Sequence, residues 1–577
     1  MSAFIGIVEP HESARAAALP RLRAALLEQG FSQPQELAWT HGVIVWCDST
    51  DQPRPHERLV QHPNGFVASV GVVGYRGLYG RRALERIWAE YRGPGSLDPF
   101  AMTGNFQVAV AKDGDGCVFG DPIGMLKLYH VPGQRIFSTS WLACADLVER
   151  PRLDRLGAQE YVLTSANYGL RTPLHEVRLW DPRRALALDG SDAPILYPAS
   201  IWQDGAPFRS LDEAVDACVG VLEQRFDEVA EQFPGKVITA LSGGFDSRLL
   251  LAGLLRAGVR PSLYVFGPPD SDDVRAARRI TEALDIPLEH VEKPLRDRGL
   301  APLTPERLEA ACRFFDGIPA DGILERGSDQ FTRTRYGSTG SVLLNGGAGE
   351  ILRNYILLHD RPFSAREIVQ SFYCGFDPAV FHRPAEFERY QQVLASEIET
   401  QVEQSGTMPR RYAELAYPLF RARFWLSRNN SVANRLGWYW TMLIEPELVR
   451  QSFQYPMAWK DYGVLEARVI AALNPNVASF PSAYGFDFLS GPSRRFRASM
   501  WLQYRRSPAL RAATAQIKLK AGLLRHQAPE PEQRALFPGE LRTASLLRLD
   551  RLTAPDQWNR VLTLEYLMSR LSVAQEI

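Results

Sequence analysis

The pattern of apolar and polar positions changes character once along the chain. Up to about residue 200, apolar residues come in short β-rich runs at 4–8, 42–46, 66–70 and 106–110, each bounded by Gly, Pro, Asp or Asn. Such runs predict strands. Two stretches near 12–28 and 80–92 carry helical spacing instead. The turn residues Gly190-Ser191-Asp192-Ala193-Pro194 and Asp204-Gly205-Ala206-Pro207 punctuate a boundary. Beyond it, a long amphipathic run at 211–230 predicts a helix. Apolar runs at 237–241, 263–266, 288–291 and 341–344 then alternate with helical stretches at 249–255 and 274–284. That alternation predicts a parallel, doubly wound sheet. Past residue 350 the pattern is mostly helical. The reading is therefore a mixed α/β and α+β chain, divided into 1–200 and 208–577.

Ser242-Gly243-Gly244-Phe245-Asp246-Ser247 is the most informative stretch. It follows one of the predicted strands and opens a helix. That order aims backbone N–H groups and a helix N-terminus at one spot, which suits a phosphate. The two glycines admit close approach of an anion. Ser242 and Ser247 supply hydroxyl donors. Asp246 repels a bare phosphate, so its presence points to Mg²⁺ between them. The Gly-Lys-Ser/Thr ending of the kinase-type phosphate loop is missing. A second glycine-rich stretch, Asn345-Gly346-Gly347-Ala348-Gly349-Glu350, also ends a predicted strand. In doubly wound sheets, ligands sit beyond the carboxyl ends of strands.

The 577 residues are 45% hydrophobic and 23% charged, as in ordinary globular proteins. Lys+Arg and Asp+Glu are 66 each, so net charge gives no argument for nucleic acid or membrane as partner. No apolar run approaches the roughly 18 residues of a membrane span. The N-terminus, Met1-Ser2-Ala3-Phe4-Ile5-Gly6, lacks the features of a signal peptide. Six scattered cysteines with no Cys-x-x-Cys pair read as free thiols, with a cytoplasmic location and no zinc site expected.

The loop at 242–247 resembles the Ser-Gly-Gly-x-Asp-Ser loop of ATP pyrophosphatases, which cleave ATP to AMP and pyrophosphate. The whole chain is similar to the asparagine synthetase family. Asp270-Ser271-Asp272-Asp273, after Val265-Phe266-Gly267, resembles that family's second-strand motif. Asn345 to Glu350 stands where the family has Ser-Gly-Glu-Gly-x-Asp. In the first half, Met102-Thr103-Gly104-Asn105-Phe106 and Gly120-Asp121-Pro122-Ile123-Gly124, followed by Lys127-Leu128-Tyr129, resemble family segments. The resemblance implies an Ntn-hydrolase-like β-sandwich for 1–200. For 208–577 it implies an adenine-nucleotide α-hydrolase-like domain with a helical C-terminal part. It further implies ATP and Mg²⁺ as cofactors. Leu241, Phe266, Gly267, Asn345 and Gly346 would line AMP; Ser242, Gly243, Gly244, Asp246 and Ser247 would hold phosphates; Asp246 and Glu350 would hold Mg²⁺. Glu350 also reads as a carboxylate at a helix N-terminus.

The sequence departs from the family at several places. Ser2 replaces the nucleophilic cysteine of the glutaminase, and the glutamine-holding segments have no counterpart. The best match for one of them, Val70-Gly71-Val72-Val73-Gly74-Tyr75, keeps the glycine and loses the polar groups. Losing nucleophile and pocket together predicts that glutamine is not hydrolysed and that the β-rich half is a scaffold. An adenylated carboxylate must then meet another amine. Two branches of the family share this condition, the β-lactam and carbapenam synthetases and the lasso-peptide macrocyclases. The expected partner is thus a small molecule or peptide bearing a carboxylate and an amine, with a precursor peptide and a processing protease in the peptide case. An asparagine synthetase fed by ammonia or by Ser2, and a non-catalytic nucleotide-binding relative, are the alternatives.

Gly347 stands where the family has a catalytic glutamate. Lys460 is the nearest match to the family's pyrophosphate lysine, and equally reads as a solvated surface residue. From Arg494 to Pro529 there are nine basic residues and no acidic one. That stretch reads as a solvated helical face, as a surface for pyrophosphate or an acidic peptide, or as a nucleic-acid surface, the last with few interleaved aromatics, Phe496, Trp501 and Tyr504. Trp438-Tyr439-Trp440 lies where relatives place substrate-side helices, with core packing the alternative for two of the three.

Overall fold

The short apolar runs of the first half pair into two antiparallel sheets. The computed structural model describes residues 2–48, 57–191, 194–292, 302–324, 328–337 and 340–574. One sheet orders its strands Arg178–Leu179, Tyr129–Val131, Ile136–Ser138, Ala3–Val8, Gly42–Cys47 and Gln35–Trp39. The other runs Leu186–Ala187, Asp115–Gly120, Phe106–Lys112, Gly65–Gly71 and Leu59–His62. Alternation along each strand sends side chains to both faces. Phe4, Ile44 and Trp46 meet Phe66, Val70 and Ala109 between the sheets. On the outer face of the first sheet, Ile5 and Val45 share a core with Leu22 and Leu26 of the helix Glu12–Glu28. On the outer face of the second, Val67 and Val108 pack with Leu84 and Ile87 of the helix Gly80–Glu90. The order is therefore helix, sheet, sheet, helix. Because both faces of both sheets are covered, strand Gly42–Cys47 is apolar throughout rather than alternating.

The second half builds a five-stranded sheet, all parallel, in the order Leu288–Val291, Ser262–Phe266, Val237–Ala240, Val342–Leu344, Trp438–Trp440. From the central strand Val237–Ala240 the chain winds outward twice, then returns to the central strand's other side. The direction reverses between Val237–Ala240 and Val342–Leu344, which makes that gap the topological switch point. Trp438–Trp440 is a correction to the helical reading of this region. It is the fifth strand, with Trp438 and Trp440 buried and Tyr439 half-buried. A three-residue strand directly after the helix Ser427–Leu436 leaves no periodic signal.

The halves share one apolar core, which includes Ile5, Trp141, Leu250, Trp440 and Leu562. A polar seam also joins them. The buried Asp316 carboxylate accepts from the main-chain N–H groups of Trp141 and Leu142, both at 3.0 Å, and from the Ser140 hydroxyl. Arg428 and Arg435 each approach it to 3.4 Å. Arg423, also buried, donates to the Ile123 carbonyl at 2.8 Å. No helix among the described residues is long and apolar enough to cross a membrane. All six cysteines are buried and free.

Candidate functional site

The turn after Val237–Ala240 is held by its own side chains. Ser247 Oγ accepts from the Ser242 N–H at 3.0 Å and lies 2.9 Å from Ser242 Oγ, which accepts from the Gly244 N–H at 3.2 Å. The two hydroxyls expected to meet a ligand therefore also stiffen the loop. Gly244 caps the helix Phe245–Arg256 without a side-chain acceptor, which leaves the first-turn N–H groups to an outside partner. Asp273, in the segment 270–273, accepts from the Gly243 N–H at 2.8 Å. It thereby ties the second strand's helix to the loop.

Opposite, across the switch point, lies the turn after Val342–Leu344. The Asn345 side chain accepts from the Gly347 N–H at 3.1 Å and donates to Thr441 Oγ1 at 3.0 Å. A Cβ on Gly346 would stand 3.5 Å from the Ser247 N and Cα atoms, so the two turns touch. Leu241, expected beside AMP, has its side chain in the core, and its N–H extends the ladder to the Tyr264 carbonyl at 2.9 Å. Only its main chain is on offer. Phe266 packs against Tyr264 at 5.1 Å between ring centres, and the Gly267 carbonyl lies 2.8 Å from His290 Nε2.

Asp246 and Glu350 are brought together, and two residues absent from the sequence reading join them. Arg353 hydrogen-bonds Asp246, approaches Glu350 at 3.9 Å, and places its Nε 2.7 Å from the fully buried Glu466. Glu350 also accepts from the Tyr417 hydroxyl at 2.7 Å. Three carboxylates thus surround one guanidinium. Burial pushes the Asp246 carboxyl above its usual range; Arg353 opposes this and Glu350 adds to it. Glu466 is raised likewise, by burial first, with Arg353 opposing and Asp246 adding. Among the described residues no three His, Cys, Asp or Glu side chains are arranged to hold a metal ion by themselves. What the cluster does offer is two carboxylates in excess of its arginine, beside a helix N-terminus. Mg²⁺ characteristically binds one or two carboxylates and completes its shell with phosphate oxygens and water. The donor set fits that mode.

Lys460 is not a surface lysine. It is 1% exposed, its Nζ is 3.6 Å from Glu414, and its backbone carbonyl accepts from the Asn354 N–H at 3.1 Å. Burial lowers its pKa, partly offset by Glu414. It lines a cavity of about 350 Å³ with Phe245, Glu350, Arg353, Tyr484 and Tyr504. That volume lies in the range of small-ligand pockets. Tyr484 is the lining residue contributed by segment 480–488, which also packs on the 242–247 turn and its helix. The Ala483 N–H donates to the Gly243 carbonyl at 3.1 Å, Phe488 stacks on Phe245 at 4.4 Å, and buried Arg248 donates to the Phe480 carbonyl at 2.6 Å. Gly463 (φ +74°) carries the chain past the Phe245 ring, where a Cβ would come within 2.6 Å of a ring carbon.

In the first half, Ser2 is buried in the seam. Its N–H donates to the Arg435 carbonyl at 3.1 Å and its hydroxyl to the Asn434 carbonyl at 3.4 Å. Val72, Val73 and Tyr75 are core residues. Asp121 clasps its own turn, accepting from the N–H groups of Gly124 and Met125 at 2.9 Å. Lys127 donates to the Phe424 carbonyl across the seam at 3.1 Å. Compared with known proteins, the sequence matches no family model and no curated protein.

Proposed function

We propose that the protein is an ATP-dependent ligase that transfers AMP to a substrate carboxylate, releases pyrophosphate, and joins the activated carboxyl to an amine of the same molecule. One observation carries the reading: the 242–247 and 345–350 turns meet at the switch point of a parallel sheet, with Asp246 and Glu350 between them and Lys460 in the adjoining cavity. Backbone N–H groups of the first turn would receive the phosphates. Asp246 and Glu350 would hold Mg²⁺, which when bound neutralises phosphate charge and polarises the phosphorus centre. Lys460 would face the departing pyrophosphate. Segment 480–488 covers the loop and would limit water at the activated carboxyl. The buried Ser2 and the apolar 70–75 segment support a scaffold role for the first half, so the amine comes from the substrate itself. A folded substrate presents that amine at high effective concentration. Peptide macrolactam formation, as in lasso-peptide cyclases, is the preferred form of this chemistry.

Gly347, where relatives carry a catalytic glutamate, together with the Arg353–Asp246 pair favours a second reading, a nucleotide-binding protein without turnover. ATP–pyrophosphate exchange separates the two. The ligase reading requires exchange with a substrate carboxylate, AMP rather than ADP as product, and loss of pyrophosphate release in Asp246→Ala. Asparagine formed from aspartate, ATP and ammonia would instead assign an asparagine synthetase.

A further inference from the structure

We infer that the outward face of the helix Arg494–Tyr504, with the helices Pro508–Ala512 and Thr514–Lys520 that follow it, is a docking surface for an acidic, partly apolar peptide segment attached to the substrate carboxylate. The inference rests on the ligase reading for what the peptide is, but not for whether it binds.

Helical spacing divides the first of these helices cleanly. Phe496, Met500 and Tyr504, four residues apart, line the cavity that also holds Glu350, Arg353 and Lys460. Arg494, Arg495, Trp501, Leu502 and Arg505 lie on the exposed side. One helix is therefore both cavity wall and outer surface.

The outside is unlike the rest of the molecule. Among the described residues, seven of eleven exposed large hydrophobic side chains fall between Tyr484 and Leu523. Leu502 is 63% and Leu523 78% exposed. The nine basic residues of 494–525 make no ion pair with a carboxylate among the described residues, although the chain as a whole is neutral. Arg511 is engaged internally, donating to the Ile356 carbonyl at 2.9 Å. The Arg505 guanidinium lies 4.1 Å from the centre of the Trp501 ring, an exposed cation–π pair. Unpaired cations interleaved with exposed apolar groups complement a partner that is acidic and apolar in alternation. The outer face of the 11-residue helix is about 16 Å long, room for about five residues of extended peptide.

The test uses the full chain and a fluorescein-labelled peptide of alternating Glu and Leu, read by anisotropy without nucleotide. Its counterpart has Gln for Glu. The expected result is binding of the Glu peptide about tenfold tighter than the Gln peptide at low salt, with the advantage shrinking as salt rises. The triple variant Arg494→Gln/Arg495→Gln/Arg505→Gln should lose about that factor, and Trp501→Ser/Leu502→Ser should weaken both peptides. Unchanged melting temperature and nucleotide affinity in these variants would show that the fold is intact. Equal affinity for the two peptides, or full binding by the triple variant, overturns the inference. So does binding to phosphatidylglycerol vesicles but not to peptide, which would assign the surface to a lipid headgroup layer. Because turnover is not read, failure of the ligase reading leaves the binding result standing, and the reverse.

Discussion

The Nε of Arg353 faces the buried carboxylate of Glu466 at 2.7 Å, while the other end of the same guanidinium reaches Asp246. Removing the shared cation strands two carboxylates. Loss of one partner from a buried ion pair costs about 3–5 kcal/mol. Both carboxyls have raised pKa values and escape part of that cost by protonating. Arg353→Met should therefore destabilise the protein more at alkaline than at mildly acidic pH. Urea unfolding at two pH values checks this, and wild-type stability of the variant at alkaline pH would refute it.

Glu445 gives a second pH signal, away from the candidate site. It is buried after the fifth strand, accepting from Trp440 Nε1 at 2.6 Å and from the Gly104 N–H at 3.1 Å. Burial, opposed by Arg225, pushes its pKa up to about 8. A folded-state value above the unfolded value of about 4.3 means the folded state holds the proton more tightly. The stabilisation is complete below about pH 4 and fades as pH rises through about 8. Glu445→Gln keeps an acceptor for both donors. It should flatten the pH dependence of stability across that window and raise the melting temperature at its alkaline end. A variant that retains the wild-type slope would assign the titration elsewhere.

Gly253 tests the packing under the phosphate-type loop. A Cβ there would stand 1.8 Å from a ring carbon of Phe226. Alanine gains about 1 kcal/mol of helix propensity over glycine. Overpacking of a core costs about 1–3 kcal/mol. With so close a clash against a fully buried ring, the second effect wins. Gly253→Ala is expected to lower the unfolding free energy, and a more stable variant would mean the two helices can separate freely.

Lys460→Met separates structure from chemistry. Glu414 keeps its contact with Arg410, so the fold should survive. If the ammonium meets pyrophosphate as it leaves, kcat falls by about a hundredfold with little change in nucleotide KM. Unchanged kcat would make Lys460 a structural residue.

Local pattern carried much of the architecture. The helices Glu12–Glu28 and Leu211–Gln232 and four of the five parallel strands, all but Trp438–Trp440, stand where spacing and turn residues put them. Strand Gln35–Trp39 was not legible, because it is polar on its exposed side and pairs only along one edge. Trp438–Trp440 was hidden by its brevity. At the candidate site, the loop residues were visible because glycine, serine and aspartate are dictated locally by the turn. Arg353 and Glu466 were not, since their meaning comes from a meeting between segments more than a hundred residues apart. The burial of Lys460, which removes the surface alternative, was not legible for the same reason: nothing nearby in sequence reveals what covers it.

The convergence on Asp316 bears on how such a chain can change over generations. Its carboxylate anchors a helix of the first half and balances two arginines of the second. A deletion that trimmed the first half would leave those arginines their carboxylate but take from it the Ser140, Trp141 and Leu142 donors, and would bare the apolar core the halves share. Whatever its own pockets hold, the sandwich is also the foundation on which the other half stands.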